Sequence, residues 1–197
     1  MTARPTLPAA ARPQPRRRAL MMLAAAAPLL LLASQLRLLP QDQGVLLELA
    51  GRPMDAAGAW QASWQRLVRD CSGVRRWQAG SATWVLAQQT LAAHSPPASR
   101  GARPVQLLQD VSGDWLLAEV LWDGPAAVGT SAPLDPAIVP LRRSAGGLLV
   151  QNAGVWSGDT GPWQAPVFIR RWLQQQVPSL PAALPLCLDP QWPAFAG

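Results

Sequence analysis

An uncharged, apolar run from Ala19 to Leu36 limits what this chain can be more than any other feature of its sequence. Three consecutive arginines at 16–18 precede the run, and Arg37 follows it. As a helix, about 18 residues span about 27 Å, close to the ~30 Å core of a bilayer. The excess of arginine before the run predicts that the N-terminus stays in the cytoplasm. We therefore expect the rest of the chain to be delivered outside the cytoplasm.

Two outcomes of this export remain open: an uncleaved anchor in the bacterial inner membrane, and a signal peptide that is removed in the periplasm. Candidate cleavage sites after Ala33 and Ser34 place a leucine at −3, where signal peptidase requires a small residue, and this favours the anchor. The paired arginines at 17–18 also fit a twin-arginine export signal. A core helix of a cytosolic protein is the remaining alternative, but it leaves the arginine cluster unexplained.

The net charge of +6 comes entirely from the start of the chain. Residues 1–37 contain six arginines and no acidic residue, whereas the 11 later arginines are matched by 11 aspartates and glutamates. A nucleic-acid-binding domain needs a basic face that neutralises phosphates. We therefore expect no nucleic-acid partner. The predicted segments are a disordered basic cytoplasmic tail (1–18), a transmembrane anchor or signal segment (19–36), a connector (37–53) and a periplasmic domain (54–197).

Two cysteines, Cys71 and Cys187, form an even pair in a chain predicted to reach an oxidising compartment. We expect them to form a disulfide that joins the end of the domain's first helix to the C-terminal tail. Closing a loop of about 100 residues contributes up to about 4.7 kcal/mol in the chain-entropy model. Two unpaired buried thiols are the alternative.

A first helix is predicted after Asp55, a suitable N-cap, with Ser72-Gly73 as its stop. One face of this helix is apolar and is expected to face the core, while glutamine and arginine take the other side. The apolar face carries Trp60, Trp64, Leu67, Val68 and Cys71.

The middle of the chain predicts an antiparallel sheet. Segments 105–111 and 116–122 alternate and form a hairpin through the turn Ser112-Gly113-Asp114. Further strands are expected at 45–49 (alternatively the tail of a helix), 82–89, 138–142 and 148–156. Four carboxylates of the hairpin region alternate with apolar residues and are expected on a solvated strand face: Asp110, Asp114, Glu119 and Asp123.

A second helix is predicted from Pro166 to Pro178, with an irregular tail from Ser179. Its buried stripe consists of Phe168, Ile169, Trp172 and Leu173. The fold class is therefore α+β: an antiparallel sheet of about four to six strands covered by an N-terminal and a C-terminal amphipathic helix, preceded by a single N-terminal transmembrane or signal helix.

The sequence offers little catalytic chemistry. His94 is the single histidine, and no acidic neighbour in sequence orients it. The tripeptide Asp-Thr-Gly at 159–161 matches aspartic proteases, but those enzymes need two copies that share a proton. Ser157 lies three residues after Gly154, whereas a hydrolase elbow requires two. One histidine and two separated cysteines are too few for a closed metal site. We expect no enzyme, no cofactor and no metal.

The ten tryptophans divide into two groups. Four lie on helix or strand faces that are expected to be buried, namely Trp60, Trp64, Trp122 and Trp172. Four others lie near Gly, Pro or Arg in predicted loops, where Trp beside Arg is typical of an interface hot spot. These are Trp77, Trp156, Trp163 and Trp192. The candidate interface residues are Trp77, Trp156, Trp163, Arg170 and Arg171.

Three functional hypotheses follow. The first is a non-catalytic, membrane-anchored periplasmic domain that binds another envelope protein or forms a homo-oligomer, held at the inner membrane through residues 19–36. The second is a small-ligand-binding domain with a pocket between sheet and helix. The third is a divergent hydrolase that uses His94 or Asp159.

Overall fold

The computed structural model of the chain describes residues 36–95, 101–122 and 135–190. The chain divides between Met54 and Asp55 into two units. Residues 1–35, for which the sequence predicts the cytoplasmic tail and nearly all of the transmembrane or signal helix, lie outside the described residues. In the part of the chain that is described, no helix is long and apolar enough to cross a membrane.

The first unit contains a three-stranded antiparallel sheet in the order β1-β2-β3. Its strands are β1 (Leu36–Gln41), β2 (Gly44–Leu49) and β3 (Arg52–Met54). The strand alternative predicted at 45–49 is confirmed as part of β2, and the predicted connector therefore has regular structure. Ala50 and Gly51 both have positive φ, which is the geometry of a tight hairpin turn between β2 and β3.

The second unit is built on a six-stranded antiparallel sheet in the order β4-β5-β6-β7-β8, with β9 also paired to β7. The strands are β4 (Val74–Arg76), β5 (Ala102–Asp110), β6 (Trp115–Trp122), β7 (Ala137–Ser144), β8 (Gly147–Val150) and β9 (Trp156–Ser157). The α-helices are α1 (Ala56–Val68), α2 (Ala82–His94), α3 (Ala165–Gln176) and α4 (Ala183–Cys187). The predicted α+β class is confirmed, as is the β5–β6 hairpin.

Helices cover this sheet on both faces. On one face, Trp84, Ala87 and Leu91 of α2 pack against alternate residues of β5 to β8. On the other face, α3 and α4 pack their buried residues, among them Ile169 and Leu184, against the intervening strand residues. The sheet is therefore the middle of three layers, and its central strands have no solvated face.

This double cover corrects the prediction for the hairpin carboxylates. Glu119 is fully buried on β6, and Asp110 is 8% exposed at the end of β5. Asp114 is exposed in the turn, and Asp123 lies outside the described residues. The prediction was wrong for Glu119 because strand alternation separates two faces of a sheet but does not say which of them meets water.

The strand predicted at 82–89 is also wrong: these residues begin helix α2. The Ser81 hydroxyl accepts a hydrogen bond from the Trp84 backbone N–H at 3.3 Å and caps the helix. Trp84, Ala87 and Leu91 lie on one helical face, and all three are buried. Their spacing of three and four residues is typical of a helix. The short apolar run around Trp84 resembles a buried strand, which is why the sequence predicted one.

The C-terminal helix is confirmed as α3, with Pro166 in its first turn. Ile169 and Leu173 are buried, and Phe168 and Trp172 pack against the same core. The tail predicted to be irregular contains the short helix α4. The predicted disulfide is present between Cys71 and Cys187, with a Cα–Cα distance of 5.9 Å, and it joins the segment after α1 to the last residue of α4.

Candidate binding surface

Helix α1 turns its apolar face outward, which corrects the predicted core-facing stripe. Four side chains on that face are strongly exposed: Trp60 by 75%, Trp64 by 56%, Leu67 by 81% and Val68 by 57%. We call these four residues the α1 stripe. The opposite side of the helix carries Gly58, Ala62, Gln65 and Arg69, which are buried or half-buried. The spacing of this second set is also helical, so both faces fit the period and only their chemistry differs.

The N-terminal end of α1 is held by the buried carboxylate of Asp55. Its Oδ1 accepts a hydrogen bond from the Gly58 backbone N–H at 2.7 Å, which caps the helix as predicted. Its Oδ2 accepts one from the backbone N–H of Gln164 at 3.1 Å, directly before α3. The Asp55 N–H in turn donates to the Pro162 carbonyl at 3.2 Å. One aspartate thus links the starts of α1 and α3.

The other end of α1 is held by an ion pair. Both guanidinium nitrogens of Arg69 donate to the two carboxylate oxygens of Asp189 at 2.8 Å. Arg76 lies 3.6 Å from the same carboxylate. The hydrogen bonds from Arg69 lower the pKa of Asp189, partial burial opposes this, and the charges of Arg69, Arg76 and Arg66 lower it further. Bidentate geometry makes this pair specific in orientation as well as in charge.

Buried polar groups connect Asp189 to the sheet. The amide of Gln106, 2% exposed, donates to the Asp189 carbonyl at 2.7 Å and to the Glu119 carboxylate at 3.2 Å. Its carbonyl oxygen accepts from Arg76 at 2.6 Å. The Cys187 carbonyl accepts a further bond from Arg76 at 3.2 Å, beside the disulfide. Polar contacts at Asp55 and Arg69 and the disulfide at Cys71 therefore hold the two ends of α1, and the α1 stripe lies on the outward side of the helix.

Positive charge lies along the inward side of α1. From Ala56 to Arg69 the chain contains no acidic residue. Arg66 is the one charged residue of α1, and Gln65 on the inward side accepts a hydrogen bond from Arg170 of α3. Burial lowers the pKa of Arg170, and the neighbouring charge of Arg171 adds to this effect. A shallow crevice beside α1 is lined by three arginines, Arg66, Arg69 and Arg170, and by the single carboxylate of Asp189.

The candidate interface residues from the sequence do not form one surface. Trp77 is half-buried against the core on the α2 side, and its indole N–H donates to Gln109 at 2.8 Å. Trp156 packs edge-on against Phe168 and Trp172, on the α3 side of the sheet. Trp163 is half-buried before α3, where its backbone N–H donates to the Thr160 carbonyl. Arg170 and Arg171 lie on α3, half-buried and exposed respectively, and Trp192 is outside the described residues.

The two residues considered for catalysis, His94 and Asp159, contact backbone groups of their own helix or turn. His94 is exposed at the end of α2, with its Nδ1 3.1 Å from the Thr90 carbonyl. The Asp159 carboxylate accepts the Gly161 N–H at 3.0 Å and closes a turn before α3. Among residues 36–95, 101–122 and 135–190, no three His, Cys, Asp or Glu side chains group as metal ligands.

A cavity of about 600 Å³ lies at the β5–β6 turn, not between sheet and helix. Arg75, Arg143, Asp110 and Asp114 contribute to its lining. The Asp110 carboxylate is occupied by the turn itself, since it accepts hydrogen bonds from Ser112 and from the Trp115 N–H at 2.9 Å. This carboxylate therefore shapes the hairpin.

Comparison with known proteins gives no match to a protein family, to a curated protein or to a solved structure. The exposed stripe of α1, held at both ends of the helix, is the candidate binding surface of this chain.

Proposed function

We propose that this chain is a non-catalytic accessory protein of a bacterial envelope assembly. Residues 19–36 anchor it in the inner membrane, and the domain from Asp55 lies in the periplasm. There the α1 stripe binds an amphipathic helix of another envelope protein. The observation that carries the proposal is the exposure of Trp60, Trp64, Leu67 and Val68 on one face of one helix.

Exposure of this kind costs solubility and is retained where it serves binding. Contiguous exposed apolar patches on soluble domains mark interaction sites. Tryptophan is the residue most enriched among those that dominate binding energy. The stripe is also pre-organised, because Asp55, Arg69 and the disulfide hold both ends of α1. A rigid face loses little conformational entropy when it binds.

The geometry of the stripe favours a helix as its partner. Side chains at i, i+4, i+7 and i+8 form a narrow ridge that matches the apolar face of a second helix. Helix α1 contains Arg66 and no acidic residue, so its own charge is positive. A second copy packed stripe to stripe would bring two positively charged helices together, and like charges at an interface oppose association. We therefore expect a partner helix with apolar residues flanked by Asp and Glu.

Site-specific photo-crosslinking in intact cells tests this function. A benzophenone amino acid replaces Leu67 in the full chain, and the matched control places it at Val111, which is 87% exposed on the β5–β6 turn. We expect one cross-linked protein from position 67 and none from position 111. Mass spectrometry of the cross-linked peptide should identify an amphipathic helix with acidic flanks. Adding Trp60→Ala and Trp64→Ala should abolish the cross-link.

Three outcomes contradict the proposal: no cross-link from position 67, equal capture from both positions, or capture of a second copy of this chain alone. A captured peptide that lacks a helical apolar face also contradicts it. The Trp60→Ala, Trp64→Ala chain must remain folded for the test to count, which circular dichroism checks.

A further inference from the structure

The three-stranded sheet of the first unit has one largely apolar face and one mixed face. Residues paired across antiparallel strands lie on the same face. The pairs Leu36–Leu49, Leu38–Leu47, Pro40–Val45 and Leu47–Met54 therefore place six aliphatic or thioether side chains and one proline together. The opposite face carries Arg37 across from Glu48, and Leu39 across from Leu46.

Four side chains of the apolar face are exposed. Leu38 is 70% exposed, Val45 51%, Leu36 44% and Met54 41%. On the opposite face, Leu46 is only 4% exposed. A sheet normally buries its apolar face and leaves its polar face in water. In this sheet four apolar side chains of one face are left in water, so this face favours an occupant that is itself apolar.

The position of the sheet in the sequence indicates which apolar surface could cover this face. The sheet begins at Leu36, the last residue of the uncharged run 19–36, so nothing separates the two in sequence. Arg52 lies across from Leu49 on the apolar face, in the row where the chain enters from that run. Arg37 is the next residue along β1, and Asp42 lies in the hairpin turn at the far end of the strand.

We propose that the apolar face of the β1–β2–β3 sheet rests on the lipid surface at the point where residues 19–36 leave the bilayer, with Arg52 directed to lipid phosphates. This inference rests on the anchor in the proposed function, but not on the partner of α1. A bilayer that already holds residues 19–36 is present at a high effective concentration for a sheet that follows without a linker. Guanidinium groups bind phosphate oxygens in bidentate fashion.

Depth-dependent fluorescence quenching tests the proposal on the full chain in vesicles of phosphatidylethanolamine and phosphatidylglycerol. A fluorophore is attached to Leu38→Cys in one variant and to Gln41→Cys in the other. Positions 38 and 41 lie on the same strand and on opposite faces. Lipids with a nitroxide near the headgroup serve as quenchers. We expect the label at 38 to be quenched several-fold more than the label at 41. Arg52→Glu should reduce that difference.

Equal quenching at the two positions overturns the proposal. A label at 38 that is shielded from water but not quenched by lipid also overturns it, because a second copy or another protein would then cover the face. Resistance of the protein to alkaline extraction from the same vesicles separates this failure from failure of the anchor. A chain that resists extraction but shows equal quenching keeps its anchor and loses the sheet contact. A chain that is extracted loses both, while cross-linking from Leu67 reports independently on the α1 stripe.

Discussion

Trp60 and Trp84 are the same residue type in opposite environments. Trp60 projects from α1 and is 75% exposed, whereas Trp84 is 9% exposed between α2 and the sheet. The free energy that a tryptophan contributes to folding follows the apolar area it removes from water. Substitutions at the two positions should therefore distinguish a contribution to binding from a contribution to folding stability.

We predict that Trp60→Ala changes the free energy of unfolding by less than about 0.5 kcal/mol, as substitutions at exposed positions do. Trp84→Ala should lower it by about 3–5 kcal/mol, because it removes a large side chain from the core. Urea denaturation followed by circular dichroism measures both. A loss at Trp60 comparable to that at Trp84 would show that the α1 stripe is packed, and would contradict its assignment as a binding surface.

At the scale of single residues, the sequence predicted a helix cap and a disulfide correctly, but it did not predict which charged side chain is buried. The Asp55 cap and the Cys71–Cys187 bridge were predicted because each depends on residue type and on the helix that surrounds it. The burial of Glu119 was not predicted, because it depends on α4 and the segment after it, which lie some 60 residues later in the chain. No local pattern around β6 carries that information.

Helix α1 takes its orientation from its polar contacts. An amphipathic helix usually buries its apolar stripe, but the inward side of α1 carries Gly58, Ala62, Gln65 and Arg69. Periodicity alone predicted the helix and assigned the wrong face. A useful signal was available in the sequence: a second stripe at the same spacing, composed of small residues and of long side chains able to hydrogen-bond. Helix α2 was missed for a related reason, since its few core residues are flanked by alanine and glutamine rather than by charges.

The Arg69–Asp189 pair that holds α1 should make stability depend on pH in acid. The pKa of Asp189 is held below its ordinary value of 3.8, chiefly by the hydrogen bonds from Arg69. A group whose pKa is lower in the folded state stabilises the fold above its unfolded pKa, and this contribution is lost as the pH falls through the folded pKa. Asp189 is partly exposed, so screening limits the contribution to about 1 kcal/mol or less.

We predict that Asp189→Asn is less stable than the parent chain at pH 7 and that the two converge as the pH falls below 3.8. Asp135→Asn, an exposed substitution with the same change in charge, is the control and should show no such convergence. Urea midpoints at a series of pH values measure the effect. A difference between Asp189→Asn and the parent that stays constant with pH would mean that the ion pair does not hold α1.

At the scale of the whole molecule, the second unit builds its three layers from its own described residues. In the part of the chain that the structure describes, the residues of both apolar cores lie from position 71 onward. The bonds that hold α1 likewise begin at Asp55. The described residues of the second unit therefore build both cores, and the cooperative unit of folding is expected to start at Asp55.

We predict that a chain of residues 55–197 folds alone, in one cooperative transition. Its urea midpoint and the dependence of its unfolding free energy on urea should match those of the second unit in the full chain, because that dependence scales with the surface exposed on unfolding. The reduced fragment should unfold at lower urea than the oxidised one, since the bridge across 116 residues restricts the unfolded chain. A fragment that aggregates, or that unfolds gradually, would show that the apolar β1–β2–β3 sheet completes the core, and the lipid contact proposed for that sheet would then lose its basis.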